Sequence, residues 1–309
     1  MRSDSFTLAA ADGTELFVYR WLPDAPPKAA VQVAHGLAEH AGRYARLAAS
    51  LTAAGYAVYA NDLRGHGKSA RGADALGFFA ERDGWLRCLD DLWQLNRRIA
   101  ADHPGLPIVL LGHSMGSFLA QHFISEHGDA LAGVVLSASS GKPPPLAAVG
   151  RLVARLERLR LGPRGRSALI HGLSFGAYNK PFAPARTPFD WLSRDPAEVD
   201  KYAADPLCGF SATVQLWIDL LDALAEIARP ARQARIPKRL PVYVIAGARD
   251  PVSANTKGLR QLLAAYRAAG LERVTHRFYP EARHELFNEV NRDEVTRDLV
   301  AWLQAVVAR

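Results

Sequence analysis

Two pentapeptides in the sequence match G-x-S-x-G, the pattern of a sharp strand-to-helix turn that exposes a serine hydroxyl for nucleophilic attack. They are centred on Ser114 and Ser174, so the pattern alone does not choose between them. Ser114 follows the apolar run 107–111, which predicts a buried strand, and precedes residues 117–123, which continue as an amphipathic helix. Ser174 leads within a few residues to Pro181, which ends any helix. The flanks therefore predict Ser114 as the nucleophile and Ser174 as a loop or cap residue.

The two glycines that flank Ser114 have a steric role. Gly112 and Gly116 allow the strand and the helix to approach closely enough to hold the serine in a strained backbone conformation. We expect them to support the turn that presents the hydroxyl.

A serine hydroxyl is a weak nucleophile near neutral pH, so it needs a base, and histidine is the usual one. Ten histidines are present. His284 lies between the last predicted strand and the last predicted helix, whereas His276 lies inside that strand. In this kind of fold the acid precedes the histidine along the chain. Asp250 ends the preceding strand run and is followed by Pro251, so we predict Asp250 as the acid and His284 as the base.

The tetrahedral intermediate of acyl transfer carries a negative oxygen, which commonly receives two backbone N–H groups. Met115, directly after the nucleophile, is predicted to supply one. The second should come from the loop after the third strand, which reads His35-Gly36-Leu37. We choose the Leu37 N–H, with Gly36 permitting close approach of the substrate.

Short apolar runs alternate with stretches of helical period along most of the chain, which predicts an α/β fold around a mostly parallel sheet. The first two strands are joined at Asp12-Gly13, a pair that favours a hairpin. The predicted strands are 5–10, 15–22, 29–34, 57–61, 107–111, 133–136, 240–246 and 275–279, and the predicted helices are 43–54, 78–101, 115–126, 256–269 and 290–307.

The alternation stops between residues 142 and 236, where prolines and an arginine- and leucine-rich helical stretch replace it. We interpret 1–309 as a single domain whose core comprises 1–141 and 237–309. Residues 142–236 are then an inserted helical cap or lid.

Composition narrows the classes of function. The chain of 309 residues has 49% hydrophobic and 22% charged residues, which is typical of a globular protein. Its two cysteines have no metal-ligand spacing, and the net charge of +7 comes without a nucleic-acid-binding motif, so we expect no metal and no nucleic acid. The first fourteen residues lack a secretory apolar stretch, and no run approaches a membrane span. We expect a soluble, cytoplasmic protein.

The sequence resembles the monoacylglycerol lipase and lysophospholipase branch of the α/β-hydrolases, which are serine hydrolases of the S33 type. Residues 35–44 are similar to the oxyanion segment of that branch, 62–69 to its next loop and 112–116 to its elbow. Short pieces at 193–196 and 205–207 also occur in the cap of such proteins. The resemblance implies an eight-stranded α/β-hydrolase fold, hydrolysis of lipid-like esters such as monoacylglycerols or lysophospholipids, and no cofactor.

Two other functions stay open. Proline iminopeptidases resemble this chain in the order of the triad, but their oxyanion segment is rich in glycine and proline where this chain has residues 35–39. A non-catalytic α/β-hydrolase that only binds a ligand typically lacks a triad member, and all three are present here. Serine at position 114 argues against the dehalogenases and epoxide hydrolases, which use an aspartate nucleophile.

The basic, leucine-rich stretch 150–166 has two interpretations. It could contact a membrane surface or an anionic headgroup transiently through the cap. The interpretation that we favour from sequence is a cap helix with a solvated arginine face.

Overall fold

The computed structural model describes residues 1–308, whose eight strands form one sheet. The five central strands are buried along their whole length because helices cover both faces of the sheet, as uninterrupted apolar runs predict. The strands are Arg2–Ala9 (β1), Glu15–Leu22 (β2), Ala29–Ala34 (β3), Tyr56–Asn61 (β4), Ile108–His113 (β5), Gly133–Ser137 (β6), Val242–Gly247 (β7) and Val274–Tyr279 (β8).

The strand order is β1-β2-β4-β3-β5-β6-β7-β8. β1 and β2 form the predicted hairpin, and β2 is also antiparallel to β4. All other neighbours are parallel. The α/β-hydrolase fold expected from the sequence is thereby confirmed, and β5, which carries the predicted nucleophile at its end, lies in the middle of the sheet.

Side chains that alternate along each strand divide the core into two layers. In β3, Ala30 and Ala34 face one layer, while Val31 and Val33 face the other. The helices are Ala45–Ala53 (α1), Gly84–Asp102 (α2), Met115–His127 (α3), Leu146–Leu161 (α4), Ala168–Leu173 (α5), Phe175–Tyr178 (α6), Pro196–Ala204 (α7), Val214–Ile227 (α8), Pro230–Gln233 (α9), Lys257–Ala268 (α10) and Arg292–Val307 (α11). The first layer packs against α2, α3, α8 and α10, and the second packs against α1 and α11.

One predicted boundary is wrong by six residues. The helix expected from residue 78 begins at Gly84, because Asp83 adopts a left-handed conformation with φ of 56°. A side chain at residue 84 would also collide with the carboxylate of Asp219 on α8. The apolar residues upstream of Gly84 that suggested a helix include Phe78 and Phe79, which are buried in an irregular segment.

The segment 142–236 lies between β6 and β7 and contains helices α4 to α9. Helix α8 joins the main core through Leu216 and Leu220, and α4 packs along α8. The division of the chain into a core and a cap at these residues stays a prediction. Across residues 1–308, the length and apolarity needed to cross a lipid bilayer are not found together in any helix.

The glycines of the two G-x-S-x-G matches differ in how much space a Cβ would find, and this difference tests the tight turn at Ser114. A Cβ at Gly116 would collide with the Ala34 carbonyl oxygen, while a Cβ at Gly172, in α5, would meet nothing within 4 Å. We expect Gly116→Ala to lower the free energy of unfolding by about 1–3 kcal/mol. Gly172→Ala should leave it unchanged or raise it by up to about 1 kcal/mol. Urea denaturation measures both, and equal stabilities of the two variants would contradict this packing.

Candidate active site

The backbone at Ser114 has φ of 51° and ψ of −120°, a region that costs a non-glycine residue free energy. Hydrogen bonds of its backbone N–H and carbonyl hold this conformation. The Ser114 N–H donates to the Ser137 carbonyl at 2.9 Å, and the Ser114 carbonyl accepts from the Ser117 N–H at 2.8 Å and from its hydroxyl at 2.6 Å. Strand β5 ends and helix α3 begins on either side, so the serine side chain projects at the carboxyl edge of the sheet.

The structure brings Ser114, His284 and Asp250 into one hydrogen-bonded chain. His284 Nε2 lies 2.9 Å from Ser114 Oγ, and His284 Nδ1 lies 2.9 Å from Asp250 Oδ1. Both partners of that second contact are almost fully buried. With the Nδ1 proton directed at the carboxylate, the Nε2 lone pair is free to accept the serine proton.

Opposing effects act on the imidazole of His284. Burial by itself would lower its pKa, but the charge and hydrogen bond of Asp250, with the charges of Glu285 and Glu39, outweigh burial and raise the pKa above its ordinary value. The neighbouring His113 behaves differently, because burial lowers its pKa to about 4. His284 is thus the histidine at this site whose imidazolium is stabilised, as a base that receives a proton requires.

Asp250 is fixed by the chain that follows β7. Its Oδ1 accepts the Val252 N–H at 2.9 Å, and its carbonyl accepts the Asn255 N–H at 2.9 Å. The carboxylate therefore cannot rotate away from His284 without losing a second hydrogen bond.

The segment 142–236 contributes directly to the site, which sequence reasoning missed. The ring centroids of Trp191 and His284 are 4.9 Å apart, and the backbone N–H of His284 donates to the Trp191 carbonyl at 3.4 Å. The Glu285 N–H donates to the Leu192 carbonyl at 2.7 Å. No local sequence signal identifies Trp191, because its role depends on how the segment packs onto the His284 loop.

The loop predicted to hold the oxyanion follows β3 and is supported by His35. Its Nδ1 lies 2.8 Å from the Gly36 carbonyl oxygen, and its Nε2 accepts the Leu63 N–H at 2.9 Å. Burial lowers the pKa of His35 to about 3, so the ring is neutral and acts as a brace between two loops.

The two N–H groups chosen from sequence have no acceptor within residues 1–308. These are the N–H of Leu37 and the N–H of Met115, the latter at the first position of α3, where helical N–H groups lack intrahelical partners. The N-terminus of α3 also adds a favourable potential for an anion. Gly36 lies close to the serine, since a Cβ at residue 36 would be 3.1 Å from Ser114 Cβ.

Ser174 lies at the junction of α5 and α6, where its hydroxyl donates to the Ile170 carbonyl at 2.7 Å. Within residues 1–308, one set of three potential metal ligands has donor atoms within 4.8 Å of one another: His40, Asp205 and Cys208. None of the three belongs to the chain from Ser114 to Asp250. His40 Nε2 is already 2.9 Å from the Asp205 carboxylate.

A family model described as serine aminopeptidase, S33, matches residues 25–291. The chain is 31% identical to a monoacylglycerol lipase of Mycolicibacterium smegmatis, over 96% of this chain and 95% of the relative. It is also 31% identical to the human monoglyceride lipase, over 92% of this chain and 88% of the relative. Among solved structures, a thermostable carboxyl esterase from Bacillus coagulans in complex with glycerol superimposes with a TM-score of 0.91 at 26% identity, over 99% of each chain.

The raised pKa of His284 predicts how the reactivity of Ser114 depends on pH. The base is neutral only above its pKa, so the rate of labelling by a fluorophosphonate should be full at high pH and fall as pH drops. The midpoint should lie above about 6.5, the ordinary histidine value. Labelling rates from pH 5 to 9 measure this midpoint, and His276→Gln, on β8, serves as the control that leaves it unmoved. A midpoint below that ordinary value would contradict the geometry.

Proposed function

The chain belongs to the serine aminopeptidase S33 family of α/β-hydrolases, and from that membership we propose that it hydrolyses lipid-like esters through an acyl-enzyme on Ser114. It is a carboxylic-ester hydrolase. Monoacylglycerols and lysophospholipids are the substrates that we propose. The observation that carries the proposal is the 2.9 Å contact of Ser114 Oγ with His284 Nε2, continued at 2.9 Å to Asp250.

In the acylation step, Ser114 Oγ attacks the ester carbonyl carbon while His284 Nε2 accepts the hydroxyl proton. Asp250 keeps the Nδ1 proton in place and stabilises the imidazolium. The oxygen of the tetrahedral intermediate accepts hydrogen bonds from the N–H groups of Leu37 and Met115. Collapse of the intermediate breaks the bond to the alcohol, and the imidazolium donates its proton to that leaving oxygen.

Deacylation repeats the same chemistry with water as the nucleophile. His284 accepts a proton from water, whose oxygen attacks the acyl carbon, and the proton returns to Ser114 Oγ as the carboxylic acid leaves. Each step balances with water and the ester alone, so the sequence-based expectation of no cofactor and no metal is kept.

A peptidase and a binding-only protein are the alternatives left open by the sequence. A binding protein gains nothing from an aligned serine, histidine and aspartate, and the unsatisfied N–H groups of Leu37 and Met115 favour a reaction that develops an oxyanion. These groups would serve a serine peptidase as well, since amide hydrolysis develops the same oxyanion, so the proline iminopeptidase is an arm of the activity test.

We expect the purified protein to hydrolyse monoacylglycerols, lysophospholipids and nitrophenyl esters faster than it hydrolyses a proline arylamide. Ser114→Ala should lower kcat by at least about 10⁴-fold, because the nucleophile is lost. Ser174→Ala, the serine of the second match, is the control and should retain full activity. Faster turnover of the arylamide, or retained activity in Ser114→Ala, would contradict the proposal.

We further propose that helix α4 makes transient contact with a lipid surface. Five apolar side chains along it are each more than half exposed: Leu146, Val149, Leu152, Leu156 and Leu159. Neighbouring exposed apolar side chains mark interaction surfaces, and arginines on the flanks of an amphipathic helix favour anionic headgroups. A lipid surface also fits an enzyme whose substrate carries an acyl chain.

Co-sedimentation with liposomes tests this contact. Binding should be stronger to liposomes with anionic lipid, should weaken as salt is raised, and should fall several-fold in Leu152→Asp/Leu159→Asp. Leu86→Asp, which changes an exposed leucine on α2, is the matched control. Absence of binding at every salt concentration would remove the membrane proposal and leave the cap helix with a solvated arginine face.

A further inference from the structure

We propose that Arg43 is a positioning residue of this active site, which holds the oxyanion loop in fixed relation to the loop that carries His284. The inference rests on the proposed function, since it concerns the alignment of the same reacting groups. It depends on a buried group of three side chains, Glu39, Arg43 and Glu285, which we call the Arg43 cluster.

The guanidinium of Arg43 donates hydrogen bonds to both carboxylates. Its Nη1 and Nη2 donate to the two oxygens of Glu285 at 2.6 Å each, a paired geometry that fixes orientation as well as distance. Nη1 also donates to Glu39 Oε2 at 2.7 Å. The side chains of Arg43, Glu39 and Glu285 are only 12%, 4% and 6% exposed, so water competes little for these contacts.

On one side, the cluster holds the backbone of the oxyanion loop. Glu39 Oε1 accepts the Gly36 N–H at 2.6 Å and the Tyr44 hydroxyl at 2.9 Å. Gly36 directly precedes Leu37, whose N–H we assign to the oxyanion. A shift of the Glu39 carboxylate would therefore move the peptide next to that donor.

On the other side, the cluster holds the residue that follows the base. Glu285 is bonded through its backbone N–H to Leu192, and its Oε2 also accepts the Asn288 side-chain amide at 3.0 Å. Asp250 thus holds the ring of His284, and the Arg43 cluster holds Glu285, the next residue in the chain. The uninterrupted path is Gly36, Glu39, Arg43, Glu285 and His284.

The segment 142–236 also contacts this path. The guanidinium of Arg43 lies 4.8 Å from the centroid of the Tyr202 ring, and the Tyr202 hydroxyl donates to the Ala38 carbonyl at 2.8 Å. Arg43 is therefore the one side chain of this path that contacts the oxyanion segment, the His284 loop and the inserted segment together.

The energetics favour positioning over stability as the function of the cluster. Burial acts to lower the pKa of Arg43, but the charges of Glu285 and Glu39 raise it well above its usual value, so the cation persists. Buried ion pairs recover their desolvation cost only with good geometry and often add little net stability. Lysine cannot reproduce the paired contact to Glu285, since its ammonium is a point charge.

Arg43→Lys separates position from charge. We expect kcat to fall by about ten- to a hundred-fold with KM within about two-fold of wild type, because small displacements of reacting groups act on the transition state. Arg46→Lys is the matched control. Arg46 lies one turn further on and joins Glu198 and Asn288 at 2.9 Å and 2.7 Å, without contact to Glu39 or Glu285.

Glu285→Gln is the second variant, and it tests the positioning role of the Arg43 cluster if Arg43→Lys does not fold. It keeps the shape of the side chain and leaves Arg43 paired with Glu39, so its unfolding temperature should stay close to wild type. Because the charge of Glu285 also raises the pKa of His284, kcat is compared on the high-pH plateau of each protein. There the kcat of Glu285→Gln on a nitrophenyl ester should fall about ten-fold, again with KM little changed.

The outcomes distinguish this inference from the proposed function. If the wild type neither turns over esters nor reacts with a fluorophosphonate at Ser114, the proposed function fails. If the wild type is active, the role of Arg43 is overturned by either of two results. In the first, the folded variants keep kcat within about two-fold of wild type or change only KM. In the second, their kcat falls by no more than the kcat of Arg46→Lys.

Discussion

The conformation of Ser114 is the constraint on which the rest of this structure depends. A non-glycine residue at φ of 51° and ψ of −120° is strained, and it persists only if its surroundings leave no alternative. Here α3 approaches β5 and the end of β3 so closely that a side chain at Gly112 would collide with the backbone of Gly116, and one at Gly116 with the backbone of Ala34. That approach in turn requires a central strand buried on both faces, which the eight-stranded sheet and its covering helices provide.

Once the serine is fixed, the proposed base and the proposed oxyanion loop must be placed by elements distant in sequence. His284 is 170 residues from Ser114. It is held by Asp250 after β7, by the segment 142–236 and by the Arg43 cluster. Ion pairs also join the segment 142–236 to the residues after His284, including those of Arg194 with Glu289 and of Arg292 with Asp195. By contrast, α4 presents its leucines outward. Residues 190–195 of the segment 142–236 are therefore held against the loop that carries His284.

The sequence predicted most of the fold because its signals are local. Uninterrupted apolar runs mark buried parallel strands, and chain order in this fold selects His284 and Asp250 after the nucleophile is chosen by its flanks. The start of α2 was misplaced because the left-handed Asp83 and the fit of Gly84 against Asp219 are tertiary effects. Glu285 follows His284 directly, yet nothing local indicates that its carboxylate meets the guanidinium of Arg43, 242 residues away. Sequence signals thus predict candidate reacting groups, whereas contacts such as that of Arg43 with Glu285 depend on tertiary packing.

The most direct test of Ser114 as the nucleophile is to identify the residue that carries the acyl group during turnover. The protein is mixed with a slowly deacylated nitrophenyl ester, quenched with acid within the first turnover and digested, and the peptides are mapped by mass spectrometry. We expect the acyl mass on the peptide that contains Ser114, at about one group per molecule, and its loss in Ser114→Ala. Acyl groups on Ser174 or on Cys208, or hydrolysis without any acylated peptide, would contradict it.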